Sequence, residues 1–547
     1  MRYYNRLTLT TLGFLVSLTA CGYANPSLQE PGIQTDIIHE DIKPEINNQE
    51  PAPTFGNEDV AFPVGKIKLV SDEVKIRDYS KIISKYENRE VTLTELDELS
   101  RIITKRLRNN GYPVASIYVP QQTFAKGGDL ILKVAPGRYG KITFDNGSKL
   151  PSDIAEGYFK GLKEGMIITN RNLDTAMYKL TSVGGIKATG TLLPGKEFGT
   201  ADLNVTIRNG KSHTEILYAE NYGAQYAGRY RYGLQGFITD PNVAGEFNYA
   251  FVMSNSNQHN YAVGWNQFVG RSGTKLGVHV TRGDYELGGI YSALGVRGKS
   301  LTYSINGSTP IFHTWRDNLN IQYGYNHRVL HDEQNSFDLD LKKHSDSFYV
   351  GLNGLSRRGK AIFNYNLVNT TGVLNFDNDY ARIIYGPSDT KGSYNKTNFF
   401  ANYQQTFNKY FDMQLRFSGQ IATSNLDGSE EITLGGINGV RAYPTSAGSG
   451  DEGYVATAEL RYHSKVPGLI FSLYIDTGHV KTTHDSGHAL YGGETATGWG
   501  IGVSYVKPGD FFARFDYARR IGYGLNEAAD ESAKAKSRMW FMLGKVF

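Results

Sequence analysis

From His213 to Phe547 the chain reads as short runs in which apolar and polar side chains alternate, separated by breaks rich in glycine, asparagine and aspartate. A period of two is the signature of a strand with two unlike faces. In Phe511 to Arg520, Phe511, Ala513, Phe515 and Tyr517 fall on one face and Arg514, Asp516 and Arg520 on the other; in Tyr454 to Tyr462, Thr457, Glu459 and Arg461 share the polar side. Apolar outside with charge inside suits a wall between lipid and a polar lumen. Short turns such as Asp240, Pro241, Asn242 alternate with longer polar stretches such as Gly283 to Gly298 and Asn375 to Tyr394. The count comes to about sixteen strands, an even number of the kind that closed outer-membrane barrels use. The last strand, Met539 to Phe547, sets Phe541, Leu543 and Phe547 on one face.

Residues 62 to 208 follow another rhythm. A strand at Val64 to Val70, a helix at Asp78 to Tyr86, a second helix, and strands at Ala115 to Val119 and Asp129 to Val134 make one α+β unit over 62 to 137. Its second helix is the sharpest local signal: Thr92 and Glu95 form a capping box, Leu96, Leu99, Ile102, Ile103 and Leu107 mark one face, and Gly111 ends it. The order recurs over 139 to 208, with a strand at Lys141 to Phe144, a helix from Pro151, a helix at Leu173 to Val183, and strands at Lys187 to Leu192 and Ala201 to Ile207. The outer strand of such a unit can accept an extended peptide as an additional strand.

The N-terminus moves the protein out of the cytoplasm. Arg2 and Arg6, an apolar run from Leu7 to Ala20 and small residues after it make residues 1 to 24 a secretory signal peptide. The single cysteine, Cys21, has no internal disulfide partner; Leu18 to Cys21 fits a lipidation site, and Gly22, Tyr23, Ala24 fits cleavage before Asn25. No later stretch has the ~18 apolar residues of a membrane helix, so membrane residence requires a closed barrel. Residues 25 to 61 carry Pro26, Pro31, Pro44, Pro51 and Pro53, a linker composition with room for one short helix near Gln34 to Lys43. With 62 glycines, 37 tyrosines and a net charge of +4 over 547 residues, the composition is β-rich and carries no basic face for nucleic acid.

One long break is unlike the others. Gly435 to Tyr443, then Pro444 and a small polar run to Gly450, Asp451, Glu452 and Gly453, is too glycine-rich for a helix or regular strand. Yet Ile437, Val440, Arg441 and Tyr443 are costly to leave on a solvated tip, so the loop calls for a cavity. Leu473, Tyr474, Ile475, Asp476, Thr477 and Gly478 form a strand that puts Tyr474 and Asp476 on its polar face, where Asp476 could meet the Arg441 guanidinium. Two solvated charges are the plainer alternative.

Val440, Arg441, Ala442, Tyr443 resembles the Val-Arg-Gly-Tyr/Phe motif in the sixth extracellular loop of two-partner secretion outer-membrane translocators, the haemolysin secretion/activation protein family ShlB/FhaC/HecB (TpsB class). Tyr474, Asp476 and Gly478 resemble that family's aromatic-x-Asp-x-Gly strand motif, and the two α+β units resemble polypeptide-transport-associated (POTRA) domains. Asn221, Tyr222, Gly223 and Gly228 to Arg231 resemble its opening hairpin, and the terminal aromatic resembles the signal read by the barrel assembly machinery. Ala442 departs from the pattern by adding a methyl where the backbone turns.

The resemblance implies a mainly β protein: a plug helix and linker at 25 to 61, POTRA 1 at 62 to 137, POTRA 2 at 139 to 208, and a sixteen-stranded barrel at 212 to 547 with a lumenal loop at 425 to 453. It implies Arg441 held by Asp476, and export of an unfolded TpsA-type exoprotein captured by the POTRA pair, with outer-membrane lipids and the barrel assembly machinery as further partners. Enzymes find little support. Gly298, Lys299, Ser300 lacks the first glycine of a phosphate loop at Ala293, Gly210, Lys211, Ser212 lacks it at Val205, and neither a Gly-x-Ser-x-Gly elbow nor a His-Glu-x-x-His helix occurs. His479, His484, His488 and Asp485 fall in one outer loop, where histidines are usually solvated, so no metal or cofactor is expected. A barrel-assembly-type insertase is the first rival and a passive porin the second.

Overall fold

The computed structural model describes residues 45–48 (backbone only), 61–74, 79–122, 127–386, 389–445, 447–487, 492–522, 525 and 535–547. The signal peptide, Cys21 and the helix expected at Gln34 to Lys43 lie outside them.

The first α+β unit runs through β2 (Ala61–Val64), β3 (Ile67–Val70), α1 (Ser80–Ile83), β4 (Arg89–Thr92), α2 (Leu93–Asn109), β5 (Ser116–Tyr118) and β6 (Leu130–Ala135). The strand expected at Val64 to Val70 is broken after Val64, because β2 pairs with β4 while β3 pairs with β6 in a separate sheet. The first helix is a single turn extended by a 3-10 turn, Ser84–Tyr86; its N-cap, Tyr79, supplies no side-chain hydrogen bond. By contrast α2 has a complete capping box between Thr92 and Glu95, and buries Leu96, Leu99, Ile103 and Leu107 against Ile117, Leu130 and Leu132. Each such side chain contributes roughly 1.5–3 kcal/mol on burial.

The second unit comprises β7 (Arg138–Gly147), α3 (Ser152–Gly157), α4 (Asn170–Thr181), β8 (Ile186–Pro194) and β9 (Thr200–Asn209). Thr169 caps α4 reciprocally with Asn172, whose amide does the work of the usual Glu or Gln. The sheet order is β1-β8-β9-β7, and β1 (Glu45–Asn48) comes from the N-terminal segment, lying parallel to Thr189–Leu192 on the open edge of β8. The unit sits on the barrel floor: Tyr178 of α4 stacks on His313 at 4.4 Å, and the Thr175 hydroxyl donates to the His313 carbonyl at 2.8 Å.

The barrel is closed and has sixteen strands, each antiparallel to its neighbours. Its first half is β10 (His213–Glu220), β11 (Arg231–Asp240), β12 (Gly245–Ser254), β13 (His259–Val269), β14 (Thr274–Glu286), β15 (Val296–His313), β16 (Asp317–Gln334) and β17 (Leu339–Arg358). Then follow β18 (Ala361–Phe376), β19 (Gly392–Thr406), β20 (Phe411–Ala422), β23 (Glu452–His463), β24 (Leu469–Lys481), β25 (Gly493–Lys507), β26 (Phe511–Arg520) and β27 (Ser537–Val546). Between β20 and β23 the loop carries a minimal hairpin of its own, β21 (Ile432–Thr433) with β22 (Ser449–Gly450). The outer loops are shorter than the sequence suggests, because Gly283–Glu286 and Val296–Gly298 continue β14 and β15, and Asn375 and Gly392–Tyr394 belong to β18 and β19.

Alternation places Phe348, Val350, Leu473, Ile475 and Leu543 outward and exposed, with Asp476, Glu459 and Asp516 inward and buried. The wall is uneven. β15 to β18 are 16 to 20 residues long, against ~9–11 needed to cross a bilayer. The seam joining β10 to β27 is held by only five register pairs, Ile216↔Val546 to Glu220↔Met542.

Candidate functional site

The segment between β20 and β23 is an outer loop by topology, yet it lies folded into the lumen with Leu434, Val440, Arg441, Ala442 and Tyr443 all buried. Its backbone is tied to itself: the Val440 amide donates to the Leu434 carbonyl at 2.8 Å, and Gly436 to the Tyr443 carbonyl at 3.2 Å. The tip packs Leu434, Val440, Ala442 and Tyr443 against Val455, Tyr474, Val480, Ala496 and Ala518.

Arg441 is 1% exposed, and all three nitrogens of its fork donate to carboxylates. Its Nε donates to Asp476 Oδ2 at 2.8 Å and Nη2 to Asp476 Oδ1 at 2.8 Å, a bidentate pair; the Arg441 backbone N–H adds a bond to Oδ2 at 3.2 Å. Nη1 reaches Glu459 Oε2 at 3.1 Å and Asp516 Oδ1 at 3.4 Å, and Cζ lies 3.2 Å from the centre of the Tyr474 ring. Burial alone would push the guanidinium down, but Asp476 and then Glu459 outweigh it and hold Arg441 above its ordinary range. On the wall side, Thr457 donates to Asp476 at 2.9 Å and Arg514 Nε to Asp516 at 2.6 Å, so the carboxylates have further donors.

Two wall glycines make room for the tip. A Cβ at Gly478 would stand 2.6 Å from Leu434 Cδ1, and one at Gly498 would stand 2.5 Å from the Ala442 Cβ. Ala442 has no positive φ, so the turn does not require glycine there, and the extra methyl nests over Gly498.

The tip also touches the seam. Trp540 on β27 donates its indole N–H to the Arg441 carbonyl at 2.7 Å, and Thr445 donates to the Tyr222 carbonyl at 2.7 Å. Ile437 packs with Ile216 and Tyr218 of β10, Tyr222 just after it, and Trp540 and Met542 of β27.

A second anchor holds the loop's root. Lys343 Nζ meets Asp427 Oδ2 at 2.6 Å, Arg328 Nη1 meets Glu430 Oε1 at 2.8 Å, and Lys396 Nζ meets Glu430 Oε2 at 2.7 Å. Burial raises both loop carboxyls, and Lys343 beside Asp427 and Lys396 beside Glu430 bring them below their ordinary values. Lys343 also lies 4.2 Å from the Tyr385 ring centre, at the end of α5 (Asp379–Tyr385), and Tyr385 donates to Asp332 at 3.1 Å. Gln420 ties the two limbs together by donating to the Glu430 and Asp451 carbonyls at 2.9 and 3.0 Å.

The structure therefore brings Val440, Arg441, Ala442, Tyr443, Tyr474, Asp476 and Gly478 together. Alternation along their strands put Glu459 and Asp516 on the inner face, but nothing in the spacing of residues sets their height against Arg441. Trp540 and the root residues Asp427, Glu430, Arg328, Lys343 and Lys396 went unmarked. His479 belongs to β24 rather than to the loop after it and pairs with Thr495 at 2.8 Å; His484 pairs with Glu452 at 3.0 Å, and His488 lies outside the described residues. Among the described residues no group of His, Cys, Asp and Glu side chains is placed to hold a metal.

Comparison with known proteins follows the same outline. The family described as haemolysin secretion/activation protein ShlB/FhaC/HecB matches residues 199–505, and that described as POTRA domain, ShlB-type, matches residues 62–137. The heme/hemopexin transporter protein HuxB of Haemophilus influenzae is 25% identical over 570 residues, covering 100% of this chain and 99% of its own. The outer membrane transporter CdiB of Dickeya dadantii is 23% identical over 440 residues, 76% of each chain. The solved structure of CdiB from Escherichia coli superposes with a TM-score of 0.67 at 19% identity, over 91% of this chain and 93% of that one, a likeness of fold.

Proposed function

The chain belongs to the haemolysin secretion/activation protein family ShlB/FhaC/HecB, outer-membrane transporters with periplasmic POTRA domains, and from that premise we propose that it exports one large unfolded exoprotein of TpsA type through its barrel without ATP. The observation that carries the reading is the loop buried across the lumen and fastened at two places, which makes the barrel a gated conduit and not an open pore. The second α+β unit acts as POTRA 2. Capture proceeds by strand addition: the chain's own residues 45–48 already occupy the β8 edge in extended form, so that edge has the geometry to hold a peptide. No phosphate-binding loop is present in the sequence, so directionality comes from folding of the cargo outside.

The name of HuxB, a heme/hemopexin transporter protein, puts a haem- or hemopexin-handling protein first among cargoes to test, beside the haemolysin, adhesin or contact-dependent toxin expected of a TpsA-type cargo. Outer-membrane lipids surround the apolar wall, and the barrel assembly machinery inserts it. The alternative is a barrel-assembly-type insertase, which would share the loop motif. The test compares the culture medium of wild-type cells with that of cells deleted for residues 62 to 208, with barrel levels checked. Disappearance of one large exoprotein from the medium, with other outer-membrane barrels unchanged, is the expected result. Depletion of other barrels with the exoprotein still in the medium would replace this reading with the insertase.

A further inference from the structure

The two rims of the barrel hold their cations differently. At the outer ends of β14 to β17 each outward cation stands beside a carboxylate: Arg282 by Asp284 at 2.9 Å, Arg297 by Glu286 at 3.2 Å, Lys342 by Asp340 at 2.8 Å and Lys299 by Glu333 at 3.9 Å. The periplasmic turns from β15–β16 to β25–β26, residues 313–317, 357–361, 406–411, 463–469 and 507–511, carry seven Lys and Arg against two Asp. Asp317 takes Arg358 at 2.7 Å, and Asp510 takes Lys507 and Lys545, both at 2.6 Å. Arg316, Lys360, Lys409 and Lys465, one in each of the first four of these turns, are exposed and have no carboxylate partner among the described residues.

The surplus is confined to this arc. The two remaining turns, residues 240–245 and 269–274, hold one Asp and one Arg and lie under the second α+β unit: a Cβ at Gly185 would stand 2.8 Å from Pro241, and one at Gly157 3.4 Å from Arg271. That unit reaches the edge of the arc, where Asp174 of α4 accepts from the Trp315 backbone N–H at 3.3 Å. Apolar side chains accompany the unpaired cations. Trp315 precedes Arg316, Phe407 lies two residues before Lys409 and Val466 follows Lys465, and all three are exposed. Arg357 Cζ lies 5.9 Å from the centre of the Trp315 ring, and Lys409 Nζ lies 4.7 Å from that of Tyr410.

We propose that this arc of the periplasmic rim binds the phosphate headgroups of anionic phospholipids in the inner leaflet and prefers them to zwitterionic ones. The inference rests on the barrel's place in the outer membrane and not on export. A soluble acidic peptide could meet the cations, but it would leave Trp315, Phe407 and Val466 in water. A leaflet takes both kinds of group: rings and aliphatic side chains enter the acyl boundary, while Lys and Arg stems lie along it and hold their charged ends at the depth of the phosphates. A zwitterionic headgroup brings its own ammonium to its phosphate, whereas phosphatidylglycerol arrives with an uncompensated charge, which four unpaired cations favour. At the outer rim a phosphate would first have to displace a carboxylate from each cation. The floor of the barrel is thereby shared, part held by POTRA 2 and part by lipid.

The test is native mass spectrometry of the full-length protein released from nanodiscs of equal phosphatidylglycerol and phosphatidylethanolamine. The wild-type barrel is expected to retain phosphatidylglycerol about tenfold over phosphatidylethanolamine. Arg316→Gln, Lys360→Gln, Lys409→Gln and Lys465→Gln in one chain should bring the two lipids to parity, while the outer-rim set Arg282→Gln, Arg297→Gln, Lys299→Gln and Lys342→Gln should leave the ratio unchanged. Wild-type retention by the periplasmic variant, an equal loss from the outer-rim variant, or displacement of the lipid by millimolar inorganic phosphate would overturn the surface. So would a periplasmic variant that keeps its lipid but no longer binds the exoprotein, since an acidic stretch of cargo would then be the partner. A second measurement needs no substitution: raising sodium chloride to about 0.5 M should cut the wild-type ratio about threefold, because these charges are exposed to solvent. A ratio indifferent to salt would also overturn the proposal.

Discussion

The tip and the root of the lumenal loop are fastened by opposite polarities. At the tip the loop supplies the cation, Arg441, and the wall supplies Asp476, Glu459 and Asp516; at the root the loop supplies Asp427 and Glu430 and the wall supplies Lys343, Arg328 and Lys396. Buried ion pairs contribute little net stability against apolar packing, but they punish misplacement severely. With the signs inverted end to end, a loop shifted or turned round in the lumen would set like charges together. The paired anchors thus select one placement, and releasing either leaves the other to hold the loop's identity.

The largest effect is expected from Arg441→Ala, which strands three buried carboxylates and costs ~3–5 kcal/mol. Secretion should fall below a tenth of wild type, and protease added outside should cut the tip; wild-type secretion by a correctly assembled Arg441→Ala barrel would remove the tip from the mechanism. Glu430→Gln should cost about 1.5–3 kcal/mol, the range for a hydrogen bond to a charged group, by weakening the contacts of Arg328 and Lys396. Cleavage should then appear near residues 425 to 431 while the tip stays protected. If both ends become accessible together, the anchors form one unit and the root is not independent of the tip.

Gly498→Ala should loosen the tip alone, by about 1–3 kcal/mol of overpacking against Ala442, and Ala442→Gly in the same chain should restore it. Hydrogen exchange of residues 434 to 443 in both variants measures this, and absence of rescue would mean that the two methyl groups do not compete for the same space.

The smallest effect is a pH dependence confined to the root. Burial raises Glu431 to about 7 and Asp451 to about 6, both above their ordinary values of 4.5 and 3.8. A carboxyl raised on folding stabilises in its protonated form, so its contribution is whole below the unfolded value and drains away as pH climbs through 6 and 7. Asp427 and Glu430, lowered by their cations, act in the other sense: their contribution is whole above their unfolded values and is lost only as pH falls below these through the lowered folded ones. Protection of the root amides, taken relative to intrinsic exchange at each pH, should therefore fall by roughly ten- to a hundredfold from pH 5.5 to 7.5, each unit of pKa being a factor of ten, and Glu431→Gln should flatten the slope. An equal loss of protection at the tip would deny that the two ends titrate separately.

Much of this was legible in the chain before its coordinates. Period-two alternation identified the wall and its inward charges, and the glycine-rich segment with stranded apolar residues announced a loop in need of a cavity. The capping box of α2 was visible because Thr92 and Glu95 are local; the one at Thr169 was missed because Asn172 replaces the expected Glu or Gln. The root escaped for a plainer reason. Leu426, Asp427, Gly428, Ser429, Glu430 and Glu431 spell an ordinary solvated turn, and their partners lie 84, 102 and 34 positions away on strands whose relative height no local pattern records. The strand at residues 45–48 is hidden likewise, in proline-rich text whose pairing depends on a vacant edge elsewhere.

Of the four tryptophans, Trp265, Trp315 and Trp499 are exposed on the lipid face or the periplasmic rim, while Trp540 is 3% exposed with its indole bonded to the Arg441 carbonyl. The molecule thereby contains its own optical gauge. With the other three replaced by phenylalanine, the emission colour and quenching of one indole would register, in real time and without an added dye, whether the loop is seated at the seam or has left it.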